Sequence, residues 1–167
     1  MTPDHIAPTD IDETPGKAET PRLYAARMAA EKATAAATPG AFVLTADTVV
    51  AVGRRILPKA ATEAEIRICL NTLSGRRHHV LTAVSLTAPD GARAHRLVDT
   101  AVIFNRLSPQ QIDAYIASGE GLHKAGGYAI QGRAAAFIRL LTGSYSGVVG
   151  LPLFETAQLL RGRGYMP

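Results

Sequence analysis

A carboxylate inside a strand and a lysine on the apolar stripe of a helix are two places in this 167-residue chain where packing alone does not account for the side chain. Asp47 interrupts Val43-Leu44-Thr45-Ala46-Asp47-Thr48-Val49-Val50, the most strand-like run of the sequence. Desolvated without partners, such a carboxylate costs several kcal/mol or takes up a proton. It must meet a cation, a metal or the mouth of a pocket, or else sit at a bulge bonded to backbone amides. Lys32 follows Tyr24 and Met28 at four-residue spacing, so the three share one helix face. Either its stem packs while the ammonium snorkels to water, or the position needs a compact cation. Composition bears on that choice, because the chain has 14 arginines and only four lysines, at positions 17, 32, 59 and 124. A lysine among so many arginines suits a point charge that approaches a phosphate.

The stretch from Gly119 to Gly132 holds five of the 15 glycines. Its pair Gly126-Gly127 would let backbone amides approach a ligand, with Lys124 complementing negative charge. The same composition serves a flexible loop and a bulge. No Gly-x-x-x-x-Gly-Lys-Ser/Thr run is present, which excludes a P-loop. His78 and His79 point to opposite faces of a strand and lack partners at zinc-site spacing, so their reading is structural or solvent-facing. Cys69, among Ile66, Ile68 and Leu70, reads as a buried inert thiol. Ser144 and Ser146 belong to no Ser-His-Asp order.

These residues need elements to hold them. Residues 1–19 are rich in Pro, Thr and acids and read as extended. Thr20 as N-cap with Pro21 opens a helix to about Ala37, which Pro39-Gly40 stops. Phe42 to Val52 reads as a strand buried on both faces. Thr62 and Glu65 form a capping box for a helix ending near Gly75. Residues 79–88 and 93–104 alternate as an antiparallel hairpin around Pro89-Asp90-Gly91. Ser108, Pro109 and Gln111 open a helix that stops at Gly119. A short strand at Ala135–Leu141, a Gly/Ser loop at 143–150 and a helix from about Pro152 complete the chain. Without a repeat or an interdomain linker, residues 1–167 read as one α/β domain.

Hydrophobic residues make up 47% of the chain, which excludes a disordered polymer. Aromatics make up only 5%, so the core must be built from small aliphatics, the 29 alanines among them. A lone Cys excludes a disulfide scaffold. No apolar run is long enough to span a bilayer and the first residues do not resemble a secretion signal, so a soluble, cytoplasmic setting is expected. The net charge of +4 is uneven, with residues 1–40 carrying six acids against four bases. The basic remainder suits an anionic ligand or a solvated surface. It lacks the clustered aromatics and bases of a nucleic-acid platform.

Taken in order, six segments resemble the Maf family: Asp10-Ile11-Asp12-Glu13-Thr14-Pro15, Tyr24 to Ala33, Ala46-Asp47-Thr48-Val49-Val50, Leu73-Ser74-Gly75-Arg76, Lys124 to Gly132, and Gly143 to Pro152. The resemblance runs from about residue 6 to the C-terminus. It implies an inosine-triphosphatase-like α/β fold, a mixed, twisted sheet flanked by helices. It also implies hydrolysis of a nucleoside triphosphate to monophosphate and pyrophosphate with Mg²⁺ or Mn²⁺. Carried over, the family's catalytic residues match Asp47, Lys32 and Lys59, and Glu13 is the candidate metal ligand beside Asp47. Thr48 and Gln131 match positions tied to base choice. The form Ile130-Gln131-Gly132 resembles the branch acting on dTTP and UTP. A homodimer is a further implication. The family's older association with septum formation supplies a second reading, a nucleotide-binding regulator of division that has lost catalysis.

Two segments depart from the family pattern. Leu57-Pro58-Lys59-Ala60 stands where Gly-Lys-Pro is usual, and nothing matches the opening strand and Ser-x-Ser-Pro-Arg-Arg loop with its helix. The expectation is a sheet lacking that first strand and helix, with Met1 standing at an internal position of longer relatives.

Overall fold

The computed structural model describes residues 3–165; Met1, on which the expectation about the start rests, lies outside them. An extended strap leads to Thr20, whose hydroxyl accepts from the Leu23 amide to start α1 (Pro21–Ala35). Strands β1 (Val43–Val52) and β2 (Arg55–Leu57) follow, then α2 (Glu63–Leu73), β3 (Arg77–Thr87), β4 (Arg93–Phe104) and α3 (Pro109–Ala117). A 3₁₀ turn at Arg133–Phe137 leads into β5 (Ile138–Thr142), α4 (Tyr145–Val149) and α5 (Leu153–Arg161).

The strands form one sheet in the order β2-β1-β3-β4-β5. Every pairing is antiparallel, where a mixed sheet was expected. The cause is local: β3 and β4 are joined by a tight turn through Gly91, at φ 82°, and no helical crossover returns a strand in parallel among the described residues. Helices flank both faces. α1 covers one, where Tyr24, Ala25, Met28 and Ala29 pack on Val49, Leu81 and Ala83. Alanines on this stripe keep the helix close to the strands. The opposite face carries the larger core, with Ile66, Leu70 and Leu73 of α2 and Ile112 and Tyr115 of α3 around Val50, Val80, Val102 and Phe104. α5 adds Leu159 and Leu160 over Val84 and Leu86.

Three local expectations change. Ala135 to Phe137 belong to the 3₁₀ turn, because Ala134 and Phe137, three residues apart, are the pair that is buried. The strand begins only at Ile138. The Gly/Ser loop contains α4, capped by Ser144 accepting from the Gly147 amide and ended by Gly150 at φ 134°. At the 62–65 box, Thr62 caps Glu65 as expected, but the Glu65 carboxylate accepts from the Ala61 amide. Ser108 and Gln111 do form the complete reciprocal box.

Strand β1 is not uniformly buried. β2 pairs only with Val50–Val52, so the stretch Val43–Val49 has β3 on one side and no strand on the other among the described residues. Consecutive side chains point to opposite faces of a strand. At this free edge they border one cleft.

Candidate active site

The cleft, about 300 Å³, is lined by Lys32, Asp47, Thr48, Lys59, Lys124 and Gln131, with Tyr128 and Val148–Gly150 closing one side. The structure thus brings together seven of the sequence-predicted residues, since Glu13 borders the adjoining hollow that shares Asp47, Thr48 and Lys59. Burial makes Asp47 the pivot: the residue is 5% exposed, and its Oδ1 accepts from Lys32 Nζ at 2.5 Å. Lys32 therefore does not simply snorkel. It reaches across from α1 to β1, with its ammonium also 2.7 Å from Glu13 Oε1.

Glu13 is carried in by the strap. Tyr24 donates its hydroxyl to the Glu13 carbonyl at 2.7 Å, and Arg27 holds Glu19 through two nitrogens while donating to the Thr14 carbonyl. Glu13 Oε2 then meets Lys59 Nζ at 2.5 Å, and Lys59 lies 3.8 Å from Asp47 Oδ1. Lys59 reaches the site although its flanking residues depart from the family pattern. Its loop is zipped to the Gly-rich segment: Ala60 donates to the Lys124 carbonyl, Gly126 to Pro58 and His123 to Ala60. That zipper is what sets Lys124 beside Lys59.

Gly126 and Gly127 call for a correction. Their amides donate to Pro58 and Lys124, so they are not the phosphate-cradling donors expected, and neither residue lines the cleft. Their missing side chains serve packing. A Cβ on Gly126 would stand 2.8 Å from Val50 Cγ1, and one on Gly127 3.2 Å from Cys69 Cβ. Both have positive φ.

The electrostatics favour an anion. Three lysines face two carboxylates, leaving one positive charge in the cleft region. Burial works against the ionisation of Glu13, but hydrogen bonds from Lys32 and Lys59 outweigh it and hold the carboxyl below the usual range. Burial likewise opposes the charge on Lys32, and Asp47 and Glu13 more than restore it. Among the described residues no group of three or more His, Cys, Asp or Glu could hold a metal. Glu13 and Asp47, which meet at the Lys32 ammonium at 2.7 and 2.5 Å, are hard oxygen donors of the kind Mg²⁺ takes, one or two carboxylates with water and substrate phosphate completing its shell.

Sequence reasoning missed several lining residues. His123, a non-glycine at φ 60°, carries no signal beyond its place beside Lys124. Val148 and Val149 fall in a stretch whose Gly/Ser composition reads as loop and hides the short helix α4. His78 proves structural: fully buried, its Nε2 lies 2.9 Å from the Tyr128 hydroxyl, inside the core behind the cleft.

The Maf-like protein family matches residues 1–163. The chain belongs to the Maf-like family. A dTTP/UTP pyrophosphatase of Caulobacter vibrioides is 62% identical to this Maf-like chain over 169 residues, covering 100% of the chain and 88% of that protein. The dTTP/UTP pyrophosphatase of Granulibacter bethesdensis is 62% identical, over 94% of the Maf-like chain and 81% of its own length. That of Maricaulis maris is 58% identical, over 99% and 80%. No helix of the described Maf-like residues is long and apolar enough to cross a membrane.

Proposed function

We propose that this chain is a nucleoside triphosphate pyrophosphatase acting on dTTP and UTP, with Asp47 as the base. The observation that carries the reading is the buried Asp47 carboxylate held by Lys32 at 2.5 Å, with Lys59 3.8 Å away, at a lysine-lined cleft. Asp47 orients a water against the α-phosphorus and takes its proton as the new P–O bond forms. The bond from the α-phosphorus to the bridging oxygen breaks, and pyrophosphate leaves with the electron pair. Lys32, Lys59 and Lys124 offset the charge that gathers on the phosphoryl oxygens. A divalent ion, Mg²⁺ or Mn²⁺, would be held by Glu13 and Asp47 and would supply further neutralisation of the triphosphate. Thr48 and Gln131 both line the cleft and in this reading meet the base; the Gln131 amide both donates and accepts, as a pyrimidine edge requires.

Pyrophosphate release from dTTP, UTP, CTP and a methylated GTP, with Mg²⁺ or Mn²⁺, tests the reading. Release from dTTP and UTP that Asp47→Asn abolishes is the expected result. Nucleotide binding without turnover, unchanged by Asp47→Asn, would overturn it.

A further inference from the structure

We propose that Thr82, a buried residue behind the cleft, fixes the hydroxyl of Thr48 as a hydrogen-bond acceptor and so selects pyrimidines that present an imide N3–H to it. The inference rests on the pyrophosphatase reading above and deepens it. A threonine hydroxyl has one hydrogen and two lone pairs. Thr82 Oγ1 lies 2.7 Å from the Gly147 carbonyl oxygen, which has no hydrogen to give, so the Thr82 hydrogen lies between them. Thr48 Oγ1 is 3.1 Å from Thr82 Oγ1. The only hydrogen left for that contact belongs to Thr48. Its donor capacity is thereby engaged inward, and the hydroxyl faces the cleft with lone pairs alone.

The fold holds this arrangement from both ends. Thr82 is 1% exposed and pairs with Thr48 across β1 and β3, so both point to the face opposite α1. Gly147 sits in α4, where its carbonyl also accepts from the Gly150 amide and its amide is capped by Ser144. Ser144 is itself tied to β4 through its amide and the Thr100 hydroxyl, 3.0 Å apart. Gly150 closes the turn near Thr48, and a Cβ there would stand 3.9 Å from the Thr48 hydroxyl. Thr82 is thus a positioning residue that carries the geometry of α4 into the choice of base. Uracil and thymine offer an imide N3–H to an acceptor. Cytosine has a lone pair at N3, which would face the lone pairs of Thr48.

The test is competition between UTP and CTP in one reaction, read as the ratio of their kcat/KM values. Because both substrates meet the same enzyme, the ratio does not depend on how much of a variant is folded. Wild type should prefer UTP. Thr82→Val, close in shape but without the hydroxyl, frees Thr48 to donate and should lower the ratio by about three- to tenfold, the worth of one net hydrogen bond. Thr82→Ala should lower it alike, and Thr82→Ser should restore it. An unchanged ratio in Thr82→Val and Thr82→Ala, a ratio that Thr82→Ser fails to restore, or a wild type indifferent to the base would each overturn this inference while leaving the pyrophosphatase reading intact. No pyrophosphate release from either nucleotide by wild type would overturn both.

Discussion

Asp47 and Lys32 are partners whose removal has different consequences. In Asp47→Asn, Lys32 keeps Glu13 at 2.7 Å, so no charge is stranded. Turnover should fall by at least about a hundredfold, the usual worth of a general base, with little change in Tm. In Lys32→Ala, the buried Asp47 keeps only Lys59 at 3.8 Å. Loss of one member of a buried pair costs about 3 kcal/mol, so this variant should lose both turnover and stability, measurable by urea unfolding. Glu13 adds a pH signature. Its pKa in the folded protein lies below the ordinary 4.5, so its stabilising contribution is present above 4.5 and disappears as pH falls through the folded value. Tm measured from pH 6 down to pH 3 should fall more steeply for wild type than for Glu13→Gln. The need of Asp47 for a partner was legible in the sequence from a carboxylate amid β-branched residues. Which cation would answer it was not legible, because Lys32 lies 15 positions away on another element.

At the scale of elements, backbone positions that look alike in sequence differ sharply in consequence. Gly126 and Gly53 both adopt left-handed φ, at 67° and 59°. A Cβ at Gly53 meets nothing within 4 Å, whereas one at Gly126 meets Val50 at 2.8 Å. Gly53→Ala should therefore cost about 1 kcal/mol, for the backbone conformation alone. Gly126→Ala should cost about 3 kcal/mol, by adding overpacking, and should also loosen the zipper that places Lys59 and Lys124. Denaturant unfolding of the two variants makes the comparison. The elements whose ends are written locally were readable: Thr20-Pro21 and Ser108 with Gln111 announce helices, and Pro89-Asp90-Gly91 announces a hairpin. The 3₁₀ turn and α4 were not, because helices of only five residues bury too few side chains to leave a period.

For the whole molecule, His78 couples the core to pH. Burial, with His79 nearby, lowers its pKa to about 4 from the ordinary 6.5, so it stays neutral when folded. The unfolded chain binds that proton first. Stability is therefore full above 6.5 and declines as pH falls from 6.5 toward 4, by on the order of 3 kcal/mol. Replacement by Gln should flatten the stability profile over that window, as chemical unfolding at several pH values would record. The His78 ring also meets the hydroxyl of Tyr128, a residue of the cleft wall, at 2.9 Å. By itself the sequence determined the α/β class, the capped helices, the hairpin and the residues too polar for where their patterns put them. Those are local properties, set by caps, turns and periodicity within a few residues. Only the tertiary structure decided that Glu13, Lys32, Asp47 and Lys59 share one cluster, that the Gly126 and Gly127 amides bond to Pro58 and Lys124, and that Thr48 lines the cleft against Thr82. Hydrogen-bond direction and charge pairing depend on distances between atoms, and the chain must fold before residues 34 and 65 positions apart can set them.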